Sequence, residues 1–212
     1  MDLDDRMKLY EDLEAGRRLM PLLPVVGRFD GKAFHTLCQK MERPFDSAFH
    51  RVMVNTTKFL VEETGALVGY TQSDEISLLW YSDTFKSQIF FDGRVMKMVS
   101  VTAALASVRF NRLFDIQFPD RRGHHVFDGR VWTVPDKTEA ANAFLWREQD
   151  AVKNSINCAG QARFSHTRLH GKDTEQIQEM LFQEHHLNWN DYPVEQKRGS
   201  WVRRRRVVRP YT

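Results

Sequence analysis

Long apolar runs are missing from this 212-residue chain: no stretch approaches the roughly 18 uninterrupted apolar residues that a membrane span needs, which excludes membrane spanning. The opening MDLDDRMKLYEDLEAGRRLM is too charged for a secretory signal, so a cytoplasmic protein is expected. Cysteine is also scarce. Cys38 and Cys158 are too few for a disulfide framework and too sparse for a structural zinc site, which leaves buried free thiols in reducing surroundings. Internal repeats, low-complexity tracts and Gly/Ser/Pro linkers are lacking, so one continuous domain is the default. A hydrophobic content of 42% is enough for an ordinary core.

Charge is present but unevenly spread. The net charge is only +3, yet the last 20 residues hold seven Lys or Arg and one acid. Lys197 and Arg198 before Gly199, with Arg203 and Arg204 in the terminal run WVRRRRVVRPYT, favour a polyanion partner held by phosphate contacts. The plain alternative is a solvated terminal strand or tail.

The acidic opening, Asp2 to Arg18, has the composition of a short helix that Pro21 and Pro24 stop before a first strand at Val25 to Phe29. In FDSAFHRVMVNTTKFLVEET, the residues Phe45, Phe49, Val52, Met53, Thr56, Phe59 and Leu60 recur at helical spacing, with Asp46 near the N-terminus and Gly65 as the stop. ALVGYTQ and EISLLWY flank a polar hairpin turn. Arg94 to Phe114 is a second helical run, and VFDGRVWTVP is a further strand. The order strand, helix, strand, strand, helix, strand predicts an α+β protein of the ferredoxin-like, split βαβ type. In that topology the end of the first strand and the turn between the second and third share one edge. Asp30 and the Ser73-Asp74-Glu75 turn, 44 residues apart in sequence, should therefore converge.

Two convergent carboxylates beside an uncluttered glycine carbonyl suit Mg²⁺, which takes oxygen ligands and shares its shell with water and phosphates. Asp30, Gly31 and Asp74 are the expected ligands, with Glu75 beside them as ligand or orienting acid. Two such ions about 4 Å apart would activate an attacking oxygen and stabilise a leaving pyrophosphate. Arg94, Lys97 and Ser100, spaced by three near a helix N-terminus, offer a phosphate cradle that Lys32 and Arg43 would complete. Without an acidic site nearby, Arg94 and Lys97 would read as ordinary surface residues.

The series RFDGKAFH, ERPFD, YTQSDE, RVMKMVS, FDGRVWTVP, WREQDAVKNSI, NWNDYP and KRG, in this order from about Pro24 to Gly199, resembles the tRNA(His) guanylyltransferase family. The resemblance implies a polymerase-palm-like antiparallel sheet with packed helices, occupying residues 1–140, and a helical and strand extension at 141–212 packed on it. It implies nucleotide addition to tRNA 5′ ends in the 3′–5′ direction with Mg²⁺, with ATP and GTP as substrates, and a homotetramer. By matching position it implies metal-ligand roles for Asp30, Gly31 and Asp74, with Glu75 the adjacent acid. It likewise implies nucleotide or triphosphate handling for Lys32, Arg43, Asp46, Ser73, Arg94, Lys97 and Ser100. Eukaryotic members carry His-Ile-Asn-Asn-Leu-Tyr-Asn where this chain reads AVKNSINC, with Val152 at the histidine position and Asn154 retained. That variant is similar to the bacterial-type members, for which template-dependent repair of truncated 5′ ends is the implied activity.

The remaining motifs carry less. His166 and His170 are four apart in FSHTRLHG but have no Cys, third His or HExxH companion, so helix capping or RNA contact is favoured over a metal role. In the helix expected from Trp146, Arg147, Asp150, Lys153 and Asn154 read mainly as a solvated face, the resemblance raising Asp150 and Asn154 as substrate or subunit contacts. Trp189 would stack on a base or pack on the core. A nucleotide or dinucleotide cyclase shares the palm and the two-carboxylate logic, but the chain has TQSDEIS where such enzymes have a Gly-Gly-Asp/Glu-Glu-Phe hairpin. A non-catalytic RNA-binding module is the third reading, opposed by the intact Asp30, Asp74, Glu75 and Lys97.

Overall fold

Alternation along Val25–Gly31 decides how the molecule is layered: Val25 and Phe29 point to one side, Val26, Arg28 and Asp30 to the other. The computed structural model describes residues 1–205. Along the chain run α1 (Leu3–Ala15), β1 (Val25–Gly31), α2 (Phe34–Cys38), α3 (Ser47–Glu63), β2 (Val68–Gln72), β3 (Glu75–Trp80) and α4 (Val95–Gln117). Then follow β4 (Phe127–Thr133), α5 (Lys137–Gln161), α6 (His166–Leu169), α7 (Thr174–His185), α8 (Val194–Arg198) and β5 (Ser200–Arg203).

The five strands form one sheet in the order β4-β1-β3-β2-β5, every neighbouring pair antiparallel. β3 lies between β1 and β2, as the split βαβ order requires, and β5 extends the sheet beyond β2. The helices α3 and α4 cover one face. Their Phe49, Met53, Leu60, Met98 and Phe110 pack with Phe29, Ile76, Leu78 and Trp80 of the strands. On the opposite face α5 contributes Phe144 to a smaller cluster with Val26 and Tyr70. A third cluster joins Ile156 and Ala159 of α5 to Ile177 and Leu181 of α7.

The apolar face expected for α3 is there, with Asp46 as N-cap: its Oδ1 accepts from the Ala48 and Phe49 amides, both at 2.9 Å. Helix α5 starts at Lys137 rather than Trp146, because Asp136 caps it by accepting from the Glu139 amide. α7, unread in the sequence, opens on a capping box between Asp173 and Gln176. Trp189 packs: it is buried and donates its indole N–H to Ser155 Oγ at 3.1 Å. Both cysteines are free thiols, but Cys158 is exposed, contrary to the expectation of burial. Among the described residues no helix is long and apolar enough to cross a membrane.

Candidate active site at the carboxylate rim

The register of β1 against β3 sets Asp30 directly across from Glu75, and the Gly31 amide donates to the Asp74 carbonyl at 3.0 Å. Asp30 and the β2–β3 turn thus meet at one rim of the sheet. The turn is a two-residue loop, Ser73-Asp74, with Ser73 in the left-handed region at φ 48°, a conformation unfavourable for serine that the flanking ladder imposes. Gly31 is needed as glycine: a Cβ there would stand 2.4 Å from the buried Phe34 ring that closes the rim from below.

The carboxylates interact through space. Burial holds the Asp74 carboxyl above the usual carboxylate range, and the nearby Asp30 charge adds to the effect. Among the described residues no group of three or more His, Cys, Asp or Glu side chains is placed to hold a metal ion together. A cation at this rim would therefore have two carboxylates and oxygen donors from backbone, water or substrate phosphate. That donor set suits Mg²⁺ rather than a transition metal. A cation between Asp30 and Asp74 would also relieve their mutual repulsion, so the residues fit the ion.

Glu75 is differently employed. Its two oxygens accept from Arg147 Nε at 2.7 Å and from a terminal guanidinium nitrogen at 2.6 Å, with both side chains almost wholly buried. Arg147 also donates to Asp150 at 2.9 Å, and Asp150 accepts from Asn154 at 3.1 Å. Glu75 is thus anchored by a buried two-point ion pair. The solvated face read for Arg147 is corrected by the packing of α5, which lays this residue across the sheet. Burial raises the Glu75 carboxyl's affinity for protons, and Arg147 opposes that shift. Asp30 in turn accepts from Arg28 Nε at 3.1 Å and from Arg130 at 3.0 Å. Arg28, Arg130, Arg147 and Asp150 escaped the sequence reading as members of one network. The available signal was parity, since Arg28 lies two residues before Asp30 and so shares its face.

Beside the rim lies a cavity of about 480 Å³, a size that suits a nucleoside-sized ligand. Met41, Pro44, Phe45 and Phe49 supply apolar walls; Arg43, Asp46, Ser73 and Asn154 also line it. His50 sits there hydrogen-bonded to Ser200 at 2.8 Å, its proton affinity lowered by burial. Cys38 is also at the wall, its thiol pushed up to about 12 by burial with help from the Asp74 charge, so it is no nucleophile. Three of the expected nucleotide residues, Arg43, Asp46 and Ser73, therefore share one cavity with Asn154, and Lys32 stands exposed one residue beyond Gly31.

The other three do not join them. β3 runs away from the carboxylate rim, so α4 begins at the far end of the sheet: the Arg17 carbonyl accepts from Val95, and Leu19 donates to the Gly93 carbonyl. The near end of α4 is marked by Ser107, whose hydroxyl accepts from the Phe127 amide, itself across from Gly31. Arg94 lies 13 residues before Ser107, a rise of about 20 Å along a helix. Arg94, Lys97 and Ser100 thus form no cradle for the Asp30–Asp74 rim of their own chain, and the Ser100 hydroxyl donates to Met96 O at 2.7 Å. The basic C-terminal residues are partly engaged. Lys197 reaches the Asn190 carbonyl and lies over the Trp189 ring at 5.2 Å, while Arg198 pairs with Glu148 at 3.0 Å. Arg203 and Arg204 are exposed, and Arg206 and Arg209 fall outside the described residues.

A family model described as tRNAHis guanylyltransferase matches residues 4–135. The chain belongs to the tRNA(His) guanylyltransferase family. Among solved structures it is similar to a bacterial tRNA(His) guanylyltransferase (Thg1)-like protein in complex with ATP, at 39% identity and TM-score 0.91, over 95% of this chain and 88% of that one. A bacterial Thg1-like protein in complex with GTP matches at 36% identity and TM-score 0.80, over 95% and 85%. The tRNA(His) guanylyltransferase of Schizosaccharomyces pombe is 29% identical, over 93% of this chain and 78% of its own length. Membership makes this guanylyltransferase-family protein a nucleotidyltransferase. The match takes in the carboxylate rim, α4 and β4 and ends before α5, so Arg147, which anchors Glu75, lies outside the matched span.

Proposed function

We infer that the protein adds nucleotides, typically G, to tRNA 5′ ends in the 3′–5′ direction, using GTP and ATP and requiring Mg²⁺. The observation that carries this is the meeting of Asp30, Asp74 and the Gly31 backbone at one rim, next to a cavity sized for a nucleoside. The ATP and GTP complexes of the two bacterial relatives support the choice of substrates. Template-dependent repair of truncated 5′ ends is favoured over untemplated G addition by Val152 in AVKNSINC and by the higher identity to the bacterial relatives, 39% and 36% against 29% for the fission yeast enzyme.

Asp30, Asp74 and the Gly31 carbonyl would hold the metal. When bound, Mg²⁺ would supply charge neutralisation at the attacking hydroxyl and the leaving pyrophosphate. The chain's own contribution is position and exclusion of water. Ser73 and Asp46 line the cavity, the apolar wall from Met41 to Phe49 would receive a base, and Arg43 and Lys32 would bring positive charge to the triphosphate. Arg147 keeps Glu75 ionised and still beside Asp30. Arg94, Lys97 and Ser100 at the far rim would serve the rim of another copy, which agrees with the expected homotetramer. Lys197, Arg198, Arg203 and Arg204 present the basic surface for tRNA.

The direct test incubates 5′-end-labelled tRNA, intact tRNA(His) and a 5′-truncated species, with GTP, ATP and Mg²⁺. Extension of the truncated species according to its 3′ strand is the expected outcome. Extension of neither would overturn the assignment, and a cyclic product from GTP alone would move it to the cyclases.

A further inference from the structure

Asp30 is the residue most exposed to conflict in this site, because one of its two carboxylate oxygens is already held twice. Its Oδ2 accepts from Arg28 Nε at 3.1 Å and from Arg130 at 3.0 Å. The two arginines are not equivalent. Arg28 is only 19% exposed and stands between Asp30 and Glu75, 3.9 Å from the latter, so it is packed in place. Arg130 sits on β4, at the edge of the sheet, with 55% of its side chain exposed. It also has somewhere to go: Asp128 Oδ1 lies 3.4 Å from the same nitrogen on the same strand and is 62% exposed.

We propose that Arg130 is the counter-cation of the metal-free site, holding Asp30 Oδ2 and yielding that oxygen to a divalent ion as its guanidinium moves to Asp128 or to substrate phosphate. The proposal rests on the metal reading given above. It makes metal capture an exchange of one cation for another on a single carboxylate oxygen. The exchange protects Asp30 from unneutralised charge before substrate arrives. It also penalises free metal, while a triphosphate offers the displaced guanidinium a better acceptor, since a planar fork matches phosphate oxygens. Arg130 is thus a positioning residue for the metal step.

The test is Mn²⁺ binding to nucleotide-free protein, followed by electron paramagnetic resonance of the free ion. Arg130→Met and Arg130→Gln should each tighten binding by about three- to fivefold, the scale set by losing one half-exposed ion pair. Lys153→Met removes an equal charge from an exposed residue of α5 that the site does not use, and should stay within about twofold of wild type. Asp30→Asn should abolish the site. Wild-type affinity in Asp30→Asn would sink the metal reading itself. An Asp30-dependent site with both Arg130 variants at or below wild-type affinity, or with Lys153→Met tightened equally, would overturn the counter-cation role alone.

Discussion

The two ends of the sheet carry opposite chemistry. At one, Asp30 and Asp74 sit beside a cavity that Ser73 lines; at the other, Arg94 and Lys97 start α4 beside Arg17 and Arg18. One strand length, roughly 15–20 Å, separates them, more than any side chain spans. The lesson is that a residue set gathered from helical spacing gives a face but not an end. Anionic and cationic halves of a nucleotide site can both be present in one chain and still be unable to meet there.

The largest effect should come from the acidic rim. Asp30→Ala and Asp74→Ala should each lower nucleotide transfer by on the order of a thousandfold or more, because a lost metal ligand removes several kcal/mol of transition-state stabilisation. Thermal unfolding should stay near wild type. Next, the far rim can be tested against the near one by mixing: Arg94→Ala and Asp30→Ala chains, each impaired alone, should recover a measurable fraction of activity when co-assembled. No recovery would mean that the far rim serves no partner's site. Arg94→Ala alone should raise the KM for nucleotide by about tenfold, the cost of one charge-assisted phosphate contact.

Stability separates the rims further. Arg147→Met leaves Glu75 buried with only the more distant Arg28, 3.9 Å away, as counter-charge, at a cost of about 3 kcal/mol in urea unfolding, and adding Glu75→Leu should recover much of it. A smaller effect is expected with pH. Asp74 must be ionised to hold a cation, and its proton affinity is raised by burial and then by Asp30. As pH falls it is neutralised earlier than an ordinary aspartate, so Mn²⁺ binding should weaken from a pH above the usual carboxylate range, with the direction readable by titration. The smallest is Asp46→Ala, which removes the cap of α3 and should cost about 1 kcal/mol of stability.

The convergence of Asp30 with the Ser73-Asp74-Glu75 turn was legible because strand parity and a tight hairpin leave one register open. The same topology held the correction for Arg94, Lys97 and Ser100: a helix that follows β3 begins where β3 ends, away from the turn. Arg147 was not legible. Its partner Glu75 lies 72 residues away, and only the docking of α5 on the second face joins them. The shared cavity of Arg43, Asp46, Ser73 and Asn154 likewise depends on α5 and the loop before α3 meeting across the rim.

The proposed transfer requires a divalent ion between Asp30 and Asp74. Anomalous diffraction from crystals grown with Mn²⁺ and a non-hydrolysable GTP analogue tests it most directly. The predicted result is an anomalous peak within bonding distance of both carboxylates, with the base in the cavity beside Ser73. A peak absent from that rim, with Asp30 still paired to Arg28 and Arg130 while nucleotide is bound, would contradict it.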